Sequence, residues 1–220
     1  MLPTMNESAK IANIHYIYQQ RPNKLRANKM AKRKLGRFGY ELDEANTDAD
    51  VLTAKRGNNI HINYTGTNVN SPRDIISDVA LATGVQRINP QFKERRRKTR
   101  DIMRQYGDEK DYSLGGHSLG GSIAMNTLKQ SKSIRDRTQV AHVFNPGYTK
   151  AFHESIKPTD KKIKKELDKK VNIHRVKGDI VSAWSHNETA FGNLFEYKHE
   201  DKNADMLEKH SLDTFIDSDL

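Results

Sequence analysis

The chain has 220 residues, of which 35% are hydrophobic and 30% are charged, which suits one domain with a compact core under a highly charged surface. It contains no cysteine, and this excludes disulfides, thiolate metal sites and a cysteine nucleophile. There is no apolar run of about 18 residues and no leader-like N-terminus, so we expect a soluble protein; its location stays open, with the cytoplasm and a virion among the candidates.

The first 35 residues are predicted to form a basic N-terminal arm, a helix plus a linker, ahead of a single domain over residues 36–220. Ile11, Ile14 and Tyr18 indicate a helix that docks on the body. Residues 21–37 then carry eight Lys or Arg. Such a run is most often a solvated face. Its functional alternatives are contact with an anionic surface and a virion or chromatin tether.

A β-hairpin is predicted where residues 50–56 and 59–64 flank Gly57-Asn58. In its second strand Ile60, Ile62 and Tyr64 alternate with polar residues, which predicts one buried face. The later elements, in chain order, are a helix from Pro72 to about residue 83, a basic helix over 91–106, a strand over 140–144, a Lys-rich helix over 157–170, a strand over 171–176 and an irregular tail with a short closing helix. Strands that alternate with helices in this way predict an α/β fold, a mostly parallel central sheet covered by helices.

The most informative stretch is Gly116-His117-Ser118-Leu119-Gly120, which lies between an apolar-leaning run and a helical pattern. This is the strand–turn–helix context of a nucleophile elbow. Gly116 and Gly120 would let neighbouring backbone pass close to Ser118, and either could take a positive φ. A bare G-x-S-x-G also occurs by chance in Gly- and Ser-rich loops, so the rest of the chain must supply the partners.

Partners for Ser118 follow in the order serine, acid, histidine that such enzymes use. Asp179 comes directly after the strand at 171–176, where a loop at the end of a parallel strand would hold it. Its alternative is an ordinary turn aspartate. Among the downstream histidines, His210 precedes apolar residues that could anchor its loop, whereas His199 lies in a run of charges and His186 is only seven residues past Asp179.

These residue types fit acyl transfer. Histidine can remove the serine proton and return it to the leaving group, and the aspartate holds the imidazole in the useful tautomer. The backbone N–H of Leu119 would face the developing oxyanion at a helix N-terminus. Thr67, in the loop after the hairpin, is the candidate for the second donor, although Thr65-Gly66-Thr67 could also be a simple glycine turn.

The ordered set resembles the class 3 lipase family of α/β-hydrolases from about residue 36 to residue 215. It consists of Tyr64-Thr65-Gly66-Thr67, the block from Gly116 to Gly121, Gly178-Asp179 and His210. The resemblance implies an α/β-hydrolase fold and hydrolysis of acylglycerols or phospholipids, and it assigns the two oxyanion contacts to Thr67 and Leu119. Length, charge and residues 38–43 also resemble short lipase-like proteins of large DNA viruses.

The sequence departs from the family in two places. Thr65 stands where the family usually has an arginine, which affects the geometry of the oxyanion loop. Residues 84–100 occupy the position of an interfacial lid, but they are basic, and only Val85, Ile88 and Phe92 are apolar. An anionic phospholipid surface suits this segment better than a neutral oil droplet.

We therefore expect a serine hydrolase of lipid esters that uses no metal and no cofactor. Residues 201–212 begin like a calcium loop, but Met206 replaces the required glycine. The first alternative is a catalytically inactive hydrolase-fold module that binds anionic membrane, nucleic acid or a partner protein. A nucleic-acid binder that uses residues 21–37 and 93–100 ranks below both. The same triad also serves proteases and thioesterases.

Overall fold

The computed structural model describes residues 1–66, 90–179, 181, 189–201 and 203–216. Its centre is a seven-stranded sheet whose strands lie side by side in chain order. β1 to β3 are antiparallel to one another, and β3 to β7 are parallel. The mostly parallel α/β sheet and its early hairpin are thus as predicted. The strands are β1 Glu41–Leu42, β2 Val51–Arg56, β3 Asn59–Tyr64, β4 Asp111–His117, β5 Thr138–Phe144, β6 Val171–Val176 and β7 Asn193–Tyr197.

Helices cover both faces of this sheet, and several begin or end at residues with the expected local chemistry. Thr4 and Glu7 form a capping box at the start of the first helix. Gly107 takes a φ of +83° just after the third. The described helices are α1 Met5–Gln19, α2 Lys24–Gly36, α3 Pro90–Tyr106, α4 Leu119–Gln130, α5 Lys132–Arg137, α6 Lys150–Ile156, α7 Lys161–Lys170 and α8 Met206–His210, with a 3₁₀ turn at Asp213–Phe215.

The main hydrophobic core lies on the face that the crossover helices cover. Phe92 of α3, Ile123 of α4, Phe152 of α6 and Leu167 of α7 belong to the same cluster as the apolar residues of β3 to β6. Right-handed crossovers between strands that follow one another in a single direction return each helix to the same face. The opposite face therefore needs a separate cover, and the N-terminal helices provide it.

Helix α1 changes the interpretation of β3. All six residues of β3 are buried, and not only the alternate set that the sequence pattern predicts. His61 and Asn63 face away from the main core, and the amide of Asn63 lies 3.1 Å from Nδ1 of His15 on α1. The expectation of a single buried face is wrong because α1 lies over the polar side of the strand.

Two further elements differ from the sequence prediction. The predicted linker after α1 is instead α2, a helix that Asn23 caps at its N-terminus. The tail contains β7, an edge strand with exposed and half-buried residues that pairs only with β6. The helix predicted from Pro72 lies outside the described residues. Among the helices that the structure does describe, none combines the length and the apolar character needed to cross a bilayer.

Candidate active site

Ser118 occupies the sharp turn between β4 and α4. Its backbone has φ +55° and ψ −127°, a conformation that a residue with a side chain adopts only under constraint. Hydrogen bonds hold it there, from its N–H to the carbonyl of Phe144 at 3.0 Å and from the N–H of Gly147 to its own carbonyl at 3.2 Å. Ser118 is 5% exposed. This is the strained turn that a nucleophile elbow requires.

The two glycines of the motif provide space, not a positive φ. Both have ordinary φ values, and the positive φ belongs to Ser118 itself. A Cβ on Gly116 would lie 2.5 Å from the backbone of Gly120, and a Cβ on Gly120 would lie 2.2 Å from the carbonyl oxygen of Tyr64. The expectation that a glycine would carry the strained angle is therefore wrong, whereas the expected close passage of backbone is confirmed.

Asp179 and His210 are paired at the end of β6. Oδ1 of Asp179 lies 3.0 Å from Nδ1 of His210, and the same oxygen accepts the N–H of Val181 at 3.1 Å. Gly178 precedes the aspartate with a φ of +88°. The Asp179 side chain is fully buried and that of His210 is 4% exposed. Because a carboxylate only accepts, it fixes the proton of neutral His210 on Nδ1 and leaves Nε2 as the basic nitrogen.

The free nitrogen of His210 is next to the elbow. The His210 and His117 rings have centroids 4.7 Å apart, and His117 directly precedes Ser118. His210 Nε2 is buried and has no hydrogen-bond partner among the described residues. A buried basic nitrogen without a partner is costly for stability, and such groups are often retained for chemistry. The structure thus brings Ser118, Asp179 and His210 to one place.

His117 connects the elbow to the histidine loop and to α1. Its Nε2 lies 2.6 Å from the carbonyl oxygen of His210, and its Nδ1 lies 3.0 Å from the hydroxyl of Tyr16. Burial lowers the pKa of His117 to about 3, so the ring is neutral. Its proton must sit on Nε2 to reach the carbonyl, and Tyr16 therefore donates its own proton to Nδ1.

Tyr16 also contacts the loop that leads to the predicted oxyanion donor. The backbone of Gly66 hydrogen-bonds to its hydroxyl, and burial raises the pKa of Tyr16 above its ordinary value. A Cβ on Gly66 would lie 2.7 Å from this hydroxyl. Tyr16 cannot be recognised as a site residue from the sequence, because only its place in the helical pattern is visible there.

Asn145 is a second residue that the sequence analysis did not identify. Its side-chain amide donates to the carbonyls of Lys209 at 3.1 Å and His210 at 3.2 Å, and its Oδ1 accepts the N–H of Val176 at 2.8 Å. It is fully buried and has a φ of +39°. Asn145 thus ties the ends of β5 and β6 to the loop of His210. In the sequence, Asn145-Pro146-Gly147 indicates only the end of a strand.

Of the two predicted oxyanion donors, the structure describes the position of Leu119. Leu119 opens α4, where its N–H is among those without a partner inside the helix. A Cβ on Gly66 would lie 3.5 Å from this nitrogen, so the early loop and the elbow meet there. Thr67 lies outside the described residues, and its role stays a prediction.

A buried arginine of α3 supports the loop that follows β3. Arg95 of α3 donates to the carbonyl of Thr65 at 3.1 Å and pairs with Asp50 at 2.5 Å. Thr65 in turn donates its hydroxyl to the carbonyl of Ala49 at 2.7 Å. Arg95 is 5% exposed, so its guanidinium is not available to an external anionic surface.

The described part of the segment at the lid position, residues 90–100, packs against the core. Residues 90–100 belong to α3, and Phe92 packs against Phe152 with ring centroids 6.4 Å apart. This part is a core helix, and residues 84–89 lie outside the described residues. His199 is half-buried, and its Nδ1 lies 3.1 Å from the carbonyl oxygen of Asp201, whereas Asp179 is paired with His210; His186 is not described. In the parts of the chain that the structure covers, no three His, Asp or Glu are grouped as metal ligands.

Comparisons with known proteins add little to this geometry. No protein-family model matches the chain, and no curated protein matches it. Among solved structures, lipase II from Rhizopus niveus aligns with 80% of this chain and 74% of its own, at 14% identity and a TM-score of 0.44. No residue role follows from so distant a likeness, and nothing in the comparisons bears on the resemblance to viral proteins.

Proposed function

We propose that this protein is a serine hydrolase that cleaves carboxylic esters of lipids, acylglycerols or phospholipids, through an acyl-enzyme on Ser118. The observation that carries the proposal is the strained serine beside a buried Asp179–His210 pair, in which His210 Nε2 has no hydrogen-bond partner among the described residues. A serine on a strained turn, an imidazole and a carboxylate that orients the imidazole are the parts that acyl transfer needs.

The proposed reaction has two halves. His210 Nε2 removes the proton of Ser118 Oγ as that oxygen attacks the ester carbonyl, and Leu119 N–H donates to the resulting oxyanion. The imidazolium then gives its proton to the leaving alcohol, and the acyl group stays on Ser118. A water molecule, deprotonated by His210, releases the carboxylic acid and restores the serine. Asp179 stabilises the imidazolium in both halves.

The lipid substrate class rests on the family resemblance of the ordered motifs, and the chemistry rests on the geometry. Acyl-chain length and head group are left to measurement. A series of p-nitrophenyl esters of increasing chain length, together with phosphatidylcholine and phosphatidylglycerol vesicles, separates a general esterase from a lipase and a phospholipase.

The first test is covalent labelling with a fluorophosphonate probe, which reacts only with an activated serine. We expect Ser118→Ala to abolish labelling and to lower ester hydrolysis by at least about 10⁴-fold. Ser155→Ala removes a serine whose hydroxyl bonds the carbonyl of Phe152, and it should label like the wild type. His210→Ala should lose labelling and His199→Ala should keep it. A wild-type protein that neither labels nor hydrolyses any of these esters would be the inactive binding module instead.

A further inference from the structure

The turn between α1 and α2 forms an exposed basic tip with one apolar side chain at its end. Residues 21–26 are all exposed. They include Arg21, Lys24 and Arg26, and Leu25 is 78% exposed, more than any other large hydrophobic residue of the described chain except Met1. We call Arg21, Lys24, Leu25 and Arg26 the α1–α2 tip.

Helix α1 directs this tip to the edge of the sheet at which β3 to β7 end, the carboxyl edge. Near the start of α1, Glu7 pairs with Arg56 beside the hairpin turn, at the opposite edge. Tyr16, near its end, contacts His117 at the end of β4. The helix therefore runs from one edge to the other, and the tip follows one turn beyond the contact with His117.

Helix α2 returns in the opposite direction. The hydroxyl of Tyr18 donates to Asn28 at 2.9 Å, one turn into α2. Beyond the far end of α2, the ring of Tyr40 lies under Arg56 at 4.3 Å, back at the hairpin turn. The tip and Ser118 thus share the carboxyl edge, while the last turn of α2 lies at the other edge.

The charges of the tip have few partners within the protein. No acidic residue occurs in residues 20–30. Arg21, Lys24 and Arg26 form no ion pair with a described residue; Lys24 only helps to lower the pKa of Glu44, whose carboxylate is paired chiefly with Lys32. A cluster of cations that the fold does not neutralise is available to an external anionic surface.

The chemistry of the tip favours lipid over nucleic acid. Leucine among cations matches the acyl and phosphate layers of an anionic bilayer, where the side chain enters the interface and the charges meet head groups. Single-stranded nucleic acid is bound through aromatic rings, and residues 19–37 contain none. We propose that the α1–α2 tip docks the carboxyl edge on an anionic lipid surface, an inference that rests on the proposed function for its purpose.

Two variants of equal charge test this assignment by flotation with phosphatidylcholine vesicles, with and without phosphatidylglycerol. R21Q/K24Q/R26Q neutralises the tip, and R33Q/K34Q/R37Q neutralises two arginines and one lysine at the other end of α2. We expect the tip variant to lose about 100-fold in affinity for anionic vesicles, because each cation near such a surface raises the affinity about fivefold. The control variant should lose less than about fivefold.

Leu25→Ser separates insertion from charge attraction. It should lower the binding that persists in high salt, whereas the tip variant should lower the salt-sensitive part. Hydrolysis of a short soluble ester should be unchanged in all three variants, because none of these residues touches the catalytic groups.

Several outcomes would overturn the assignment: no binding of wild type to anionic vesicles, equal losses in the two triple variants, or tighter binding to single-stranded DNA than to vesicles. The Ser118→Ala protein should bind vesicles like the wild type. Vesicle binding through the tip by a protein without esterase activity would support the surface and refute the proposed function. Esterase activity without tip-dependent vesicle binding would support the proposed function and refute the α1–α2 tip as a lipid-binding surface.

Discussion

His210 is held by hydrogen bonds from parts of the chain distant in sequence. The carbonyl of His210 accepts from His117 Nε2 at 2.6 Å and from the side chain of Asn145 at 3.2 Å, while its ring is fixed by Asp179. The position of the His210 ring is thus set through its backbone carbonyl and through Nδ1, and Nε2 takes part in none of these hydrogen bonds. Each support that is removed should change the geometry of the site more than the stability of the fold.

Tyr16→Phe removes the support that joins α1 to the site, and it tests whether such a loss changes the geometry of the site more than the stability of the fold. The variant keeps the ring but leaves the buried Nδ1 of His117 and the N–H of Gly66 without a partner, which costs about 1–3 kcal/mol. Because both groups adjoin Ser118, we expect kcat for a soluble ester to fall about 10- to 100-fold with little change in KM.

The matched control is Tyr18→Phe, which removes a buried hydroxyl that donates to Asn28 away from the site. It should lower the urea midpoint by a similar amount and leave kcat unchanged. Equal kcat values for the two variants would show that Tyr16 is only a structural residue.

At the scale of elements, the elbow depends on backbone that passes very close to β3. A Cβ on Gly120 would lie 2.2 Å from the carbonyl oxygen of Tyr64 and 2.8 Å from the carbonyl carbon of Thr65. Both atoms belong to rigid backbone, so the neighbours cannot yield as a flexible side chain would. The start of α4 and the early loop are therefore in contact only because position 120 is glycine.

Gly120→Ala should force α4 and the early loop apart. We expect a loss of about 1–3 kcal/mol in the free energy of unfolding, as for other overpacked sites, and a fall of at least about 100-fold in kcat/KM as Leu119 moves from Gly66. Gly36→Ala, at the end of α2 where nothing lies within 4 Å of the new methyl, is the control. Wild-type stability and activity in Gly120→Ala would refute this account of the elbow.

How much the sequence predicts depends on how local each signal is. The elbow, the hairpin and β6 could be predicted because their glycines and apolar alternation lie within a few residues. Tyr16 could not, because its partner His117 is 101 positions away and only the docked helix joins them. β7 could not either, since an exposed edge strand buries no regular set of side chains.

At the scale of the whole molecule, the sheet face under α1 and the elbow hold a layer of neutral histidines. His15, His61, His117 and His174 have pKa values lowered to about 3, and that of His142 is lowered to about 4, chiefly because burial disfavours the charged ring. In the unfolded chain the same groups titrate near 6.5. Covering the polar face with α1 therefore makes folding sensitive to acid.

The direction in which stability changes with pH follows from the number of protons that the folded and unfolded states bind. Above pH 6.5 both states hold these histidines neutral, so their contribution to stability is fully present. Between pH 6.5 and about 3 to 4 the unfolded chain binds up to five more protons than the fold, and each costs about 1.4 kcal/mol of stability per pH unit. Since whole domains are stable by only about 5–15 kcal/mol, we expect unfolding before the folded pKa values are reached.

Urea midpoints measured from pH 7.5 down to pH 4.5 should therefore fall steeply below about pH 6.5. His174→Phe is the sharpest variant, because the His174 ring is stacked between Phe144 and Phe195 at 5.1 and 5.4 Å and an apolar ring fits there. It gives up the contacts with His142 and Tyr197, so its stability at pH 7.5 can fall. Its slope against pH should nevertheless be shallower by about one proton. A wild-type midpoint that stays level from pH 7 to pH 5 would show that the histidine layer exchanges protons without unfolding, and that α1 is not held by neutral imidazoles.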